Sequence, residues 1–120
     1  MKKHIVCIGD SNTHGYCAEP SDCADGGIRF NEEERWTCLL QKGLGVGYLV
    51  TEEGHSGRTT VFADPLHENM DVFSYVSALL KSHEYIDLLI IMLGTNDSKE
   101  RFNASAASIA GGMEPLCRKA

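Results

Sequence analysis

The run "IDLLIIMLG", residues 86–94, constrains the fold most. Read as a strand over Ile86–Leu93, it is apolar apart from Asp87, which suits a strand covered on both faces. That is the situation of a parallel sheet, not of a half-exposed antiparallel strand with alternating polarity. Two further runs, His4–Ile8 and Val46–Thr51, read the same way. Helical patterns fall between and after them. Asn31 can cap a helix, with Glu34 as its reciprocal partner and Glu32 and Glu33 near the positive end. Trp36, Leu39 and Leu40 form an apolar stripe that Gly43 or Gly45 ends. Val72, Phe73, Val76, Leu79 and Leu80 recur at helical spacing, which predicts a second helix over Glu68–Ser82. A third helix is expected from about Ser105, with Ile109, Met113 and Leu116 on one side and Pro115 kinking or stopping it. Strand, helix, strand, helix, strand, helix is the order of an α/β fold with a parallel sheet. The segment Tyr16–Phe30, rich in Gly, Asp and Ser, is a long loop for a compact domain.

Composition excludes several roles. The chain has 120 residues, 42% hydrophobic and 23% charged, which suits one small globular domain. Its 11 basic and 17 acidic side chains give a net charge of −6, and no basic stripe is present. Nucleic-acid binding is therefore not expected. No apolar run reaches the ~18 residues of a membrane span. The apolar run behind Met1-Lys2-Lys3 is only about five residues, short of the ~7–15 of a signal peptide, so a cytoplasmic location is expected. Five cysteines without a CxxC pair are expected as free thiols. Cys7 reads as a small core residue. Cys17 and Cys23, with His14 nearby, match no ligand spacing, and no metal is expected.

Each strand run is followed at once by a polar, glycine-bearing segment: Gly9-Asp10-Ser11-Asn12, then "EEGHSGRTT" at 52–60, then Gly94-Thr95-Asn96-Asp97. Ligands of doubly wound sheets bind beyond the carboxyl ends of the strands, so these segments are candidates for one site. Ser11 can present a hydroxyl there. Asn96 offers a side-chain amide donor and Gly57 an unobstructed backbone N–H. With the N–H of Ser11 they can bind the oxygen of a tetrahedral intermediate, each donor contributing ~3–4 kcal/mol in the transition state. The plainer alternative is that Asp10 and Ser11 form a helix cap, and that Asn96 and Gly57 are ordinary turn residues.

"GDSN", the glycine of "SGRTT" and "GTND" stand in the order of the first three conserved blocks of the SGNH hydrolase superfamily, the GDSL esterases and lipases, which this chain resembles. "ERW" and "IIMLGTNDSKERFNASAASIAGGM" look like the arylesterase-like branch. The resemblance covers nearly the whole chain. It implies a flavodoxin-like three-layer α/β/α fold and hydrolysis of small carboxylic esters or thioesters through an acyl-enzyme, without a cofactor. By position, Ser11 is implied as nucleophile, with Gly57 and Asn96 completing the oxyanion hole. Asp10, Asn12, Arg58, Thr59, Thr60, Thr95 and Asp97 are implied as supporting or substrate-lining neighbours.

The family's fourth element, a D-x-x-H block that supplies the catalytic Asp and His, does not occur in the last third of this sequence. The fold of the family has about five central strands and the sequence supplies three. Residues 1–120 therefore read as the N-terminal part of an SGNH domain. Three explanations are open: a second polypeptide or C-terminal fragment supplies the pair, two copies cover each other's open sheet edge as a homo-oligomer, or the product is truncated with weak or no activity. His14 and His55 read as cleft or loop residues, His67 lies near the second block, and His4 and His83 are expected at the surface. The competing reading is a catalytically inactive α/β fragment acting as an interaction or small-ligand-binding module.

Overall fold

The computed structural model describes residues 1–120 and divides into two compact units, Met1–Ser56 with Tyr85–Met92, and Gly57–Glu84 with Leu93–Ala120. The first unit is built on a parallel sheet. Strand β1 (Lys3–Gly9) lies between β2 (Tyr48–Gly54) and β3 (Leu88–Met92), so the order is β2-β1-β3. Lys3 pairs with Tyr48 and Gly9 with Gly54 on one side; Ile5 pairs with Leu88 and Gly9 with Met92 on the other. The α/β class with a parallel sheet agrees with the sequence.

The position of each strand decides its burial. Central β1 is buried from Ile5 to Gly9. β3 is expected to be covered on both faces, but Leu88 and Met92 are exposed and Leu89–Ile91 only half-buried. It is an edge strand, hydrogen-bonded to β1 alone in this sheet. β2 starts and ends later than the Val46–Thr51 run. Glu52 and Glu53 belong to it because Glu52 is held from outside the strand: its carboxylate accepts from Arg35 Nε at 2.8 Å, Arg35 Nη2 at 3.2 Å and Thr37 Oγ1 at 2.6 Å.

Helix α2 covers Trp36–Leu44, four residues later than an Asn31 cap implies. The capping hydrogen bonds do form. Asn31 Oδ1 accepts from Glu33 N at 2.8 Å, and Asn31 O accepts from Glu34 N and Arg35 N, both at 3.0 Å. They close an isolated turn, because Arg35 then takes an extended backbone at φ −61°, ψ 139° while its guanidinium reaches Glu52 and Phe30 O. Leu39 is exposed; the buried residue of α2 is Thr37. Gln41 ties the helix to β2, donating to Tyr48 O at 2.8 Å and accepting from Val50 N at 2.7 Å.

His4, expected at the surface, is half-buried. Its Nδ1 contacts Tyr85 O and its Nε2 contacts Thr51 Oγ1, each at 2.7 Å. The carbonyl can only accept, so Nδ1 carries a hydrogen.

The second unit is helical. Helix α3 spans Val76–Lys81 and α4 spans Ala106–Lys119, with 3-10 turns at Val72–Ser74, Asn96–Ser98 and Glu100–Phe102. Val72, Val76 and Leu116 are fully buried. The helix expected over Glu68–Ser82 loses its first turns. Thr59 N donates to Met70 O at 2.9 Å and Val72 N to Thr59 O at 3.0 Å, drawing residues 70–72 into a parallel bridge. Asn69, at φ +57°, precedes it. Ser105 caps α4 by accepting from Ser108 N at 3.1 Å. The helix runs through Pro115, which is expected to kink or stop it. The carbonyl deprived of its partner is that of Gly111, an exposed residue open to water. No helix is long and apolar enough to cross a membrane.

Candidate active site

In the first unit, Asp10-Ser11-Asn12 leads from the end of β1 into a single helical turn, α1 (Ser11–His14). Asp10 is buried and is its N-cap: Oδ1 accepts from Asn12 N at 2.9 Å, while its carbonyl accepts from Thr13 N and His14 N. Asp10 is thus consumed by the backbone. Ser11 is the first residue of the turn, so its own N–H has no partner inside α1. Its carbonyl accepts from Gly15 N at 2.9 Å and Tyr16 N at 2.8 Å. Ser11 is half-buried and Asn12 is exposed.

Two glycines fix where α1 lies. A Cβ on Gly9 would meet Thr13 Cβ at 2.5 Å. A Cβ on Gly54 would lie 2.7 Å from the Thr13 carbonyl carbon and 2.9 Å from His14 Cα. The sequence alone does not single out Gly54. Its signal is a glycine at the end of a strand run that faces the glycine of the first block in register. Thr13 is buried between these contacts, and its hydroxyl has no hydrogen-bond partner.

In the second unit, the segments carrying Gly57 and Asn96 are bonded to each other. Asn96 is buried and its Nδ2 donates to Arg58 O at 3.0 Å. One N–H of the amide is used and the group is held in plane. Asp97 is fully buried. Its Oδ1 accepts from Thr60 N at 3.0 Å and its Oδ2 from Thr60 Oγ1 at 2.6 Å. Gly57 has φ +91°, a conformation that side-chain-bearing residues rarely adopt, and a Cβ there would lie 3.0 Å from Met70 Sδ. The Arg58 guanidinium stacks over the Tyr75 ring at 5.5 Å, and Thr95 is exposed. Ser11, Asp10 and Asn12 therefore belong to the first unit, and Gly57, Arg58, Thr95, Asn96 and Asp97 to the second.

The His14 carbonyl accepts from Arg29 Nε at 2.8 Å, and His55 Nδ1 contacts Ser56 O at 2.8 Å. His55 and His67 are exposed. No group of three or more His, Cys, Asp or Glu side chains is gathered as a metal site.

The profile of the GDSL-like lipase/acylhydrolase family matches residues 7–120. No curated protein matches the chain. Among solved structures, the native aryl esterase of M. smegmatis is similar over 98% of this chain, at 42% identity and a TM-score of 0.88. Est24, a carbohydrate acetylesterase from Sinorhizobium meliloti, is similar over 98% at 38% identity and a TM-score of 0.88. AlinE4, an SGNH-hydrolase family esterase, shares the fold at 19% identity and a TM-score of 0.66. The chain spans little more than half of each, 54% of the first two and 53% of the third. Family profile and ordered motifs agree: the chain belongs to the GDSL-like lipase/acylhydrolase family.

Proposed function

We propose that Ser11 is the nucleophile of an esterase acting on small carboxylic esters, with the Ser11 N–H, Gly57 N–H and Asn96 Nδ2–H as oxyanion donors. The observation that carries this reading is the placement of Ser11. It opens a one-turn helix at the carboxyl end of the central strand, over two glycines whose lack of side chains lets the turn approach. The fixed Asn96 amide supports the assignment of that donor. Ser11 Oγ attacks the ester carbonyl carbon, and negative charge moves to the carbonyl oxygen. Donors that are stronger for that oxyanion than for the ground-state carbonyl lower the barrier. Collapse of the intermediate expels the alcohol and leaves an acyl-serine, which water hydrolyses to the acid and free Ser11.

A serine hydroxyl needs a base to become a competent nucleophile. The reading assigns that base, and the carboxylate that orients it, to the D-x-x-H block of the complete domain. The similar aryl esterase and carbohydrate acetylesterase suggest an acetyl ester as the first probe. The test is hydrolysis of an activated acetyl ester by the complete domain, this chain together with its acid–base pair. Ser11→Ala is expected to abolish turnover. Unchanged turnover in that variant removes Ser11 from the chemistry and leaves a binding module as the better reading.

A further inference from the structure

We propose that the buried Thr60–Asp97 pair is a positioning device that sets the oxyanion donors at Gly57 and Asn96. The inference rests on the reading of those two residues as donors. Asp97 and Thr60 are both fully buried, and the carboxylate spends both oxygens on one residue: Oδ1 on Thr60 N at 3.0 Å, Oδ2 on Thr60 Oγ1 at 2.6 Å. An interior carboxylate is costly unless its acceptor sites are met, so this two-point bond resists being traded for a looser one.

The pair lies next to both donors in the chain. Asp97 follows Asn96, and Thr60 stands three residues after Gly57. Asn96 Nδ2 bonds to Arg58 O, between Gly57 and Thr60, so the same two segments are crosslinked twice. Movement of Thr60 relative to Asp97 therefore carries Arg58 O and the plane of the Asn96 amide with it. The far side of Thr60 is closed by α4. A Cβ at Gly112 would lie 2.8 Å from Thr60 Oγ1 and 3.0 Å from Val61 Cγ2, so only a glycine lets the helix sit there. Asp97 and Thr60 touch neither substrate nor reacting atoms in this scheme. Their effect passes through donor geometry, which matters most when charge develops on the substrate oxygen. The signature of such a role is a fall in kcat with KM little changed.

The experiment uses the complete domain and an activated acetyl ester, with rates expressed per site titrated by the acyl-enzyme burst. Normalising in this way removes any loss of folded protein. Thr60→Val keeps the shape and removes the hydroxyl; Asp97→Asn removes the charge. Both are expected to lower kcat by about 10–100-fold with KM changed less than about threefold, as displacement of a donor by a fraction of an ångström does. Thr60→Ser restores the donor and is expected to recover most of the loss in Thr60→Val. If Ser11→Ala abolishes turnover while Thr60→Val and Asp97→Asn keep kcat per site, the positioning role is overturned and the esterase reading stands. If Ser11→Ala keeps turnover, both fall. A variant too unstable to titrate is replaced by Gly112→Ala, which presses on Thr60 from α4 and is expected to give the same kcat-specific loss; an unchanged kcat per site overturns the role there too.

Discussion

Gly9 and Gly54 are paired in register at the ends of neighbouring strands, and the helical turn that carries Ser11 lies against both. A parallel pair brings two chain ends to the same edge of a sheet. Here both ends lack side chains, and the turn fills the space. The proposed nucleophile thus rests on rigid backbone, and its height above the sheet follows from two missing Cβ atoms.

Gly54→Ala is expected to destabilise the protein by about 1–3 kcal/mol, because the new methyl meets backbone of Thr13 and His14 that cannot rotate away. Gly43→Ala provides the opposite sign. Gly43 lies inside α2, and a Cβ there meets nothing within 4 Å. That change is expected to stabilise by about 0.5–1 kcal/mol through helix propensity and a less flexible unfolded chain. Urea unfolding of the two variants beside wild type checks both. A neutral Gly54→Ala would show that α1 does not bear on β2.

The motifs and the strands were readable because their signals are local. Ile5–Ile8 and Leu88–Leu93 are apolar without interruption, and each polar segment follows directly in the chain. What escaped was set by partners distant in sequence. Arg35 leaves the helical conformation although Asn31 and Glu34 form their capping bonds, because its guanidinium binds Glu52, 17 residues on. Residues 70–72 leave the predicted helix because Thr59 bridges to Asp71. Thr60 and Asp97 were legible as neighbours of the proposed donors, but their bond spans 37 residues and no spacing rule announces it. The role of Gly54 is not legible in the sequence, because a strand-end glycine gains meaning only when its partner across the sheet is known.

Arg101→Gln is expected to lower the urea midpoint at neutral pH and to flatten the loss of stability in acid. Asp64 accepts from Arg101 Nε at 3.0 Å and Arg101 Nη2 at 2.6 Å. Those bonds hold its carboxyl below the ordinary value of 3.8, against the opposing effect of burial and with help from Leu66 N. Glu52 is held low as well: burial pushes its carboxyl up, but the combined donors from Arg35 and Thr37 outweigh that. A carboxyl that binds its proton less readily when folded contributes fully above its unfolded pKa. The contribution fades as pH falls through that value towards the lower folded one. Wild type and Arg101→Gln should therefore differ most near pH 7 and converge towards about pH 3, below the unfolded aspartate value. A gap that persists undiminished at low pH assigns the effect of Arg101 to packing instead.

The thiols supply an independent check on the central strand. Cys7 is fully buried in β1, opposite Glu52 in the register of β1 and β2. Burial, with the Glu52 charge adding to it, pushes its thiol up to about 11. At pH 8 only about a thousandth of such a group is thiolate, and the thiolate is the form that reacts. Cys17 and Cys23 are also buried, with their sulfurs donating to Glu19 O and Arg29 O. Cys117 is exposed near the end of α4. A short alkylation pulse on the native protein, read by peptide mass, is expected to label Cys117 first and leave Cys7 untouched; in denaturant all five cysteines should label together. Partial labelling of Cys7 that tracks the global unfolding constant fits a strand opened only by unfolding. Labelling of native Cys7 as fast as Cys117 would mean that β1 is not the closed centre of the sheet, and the support beneath Ser11 would go with it.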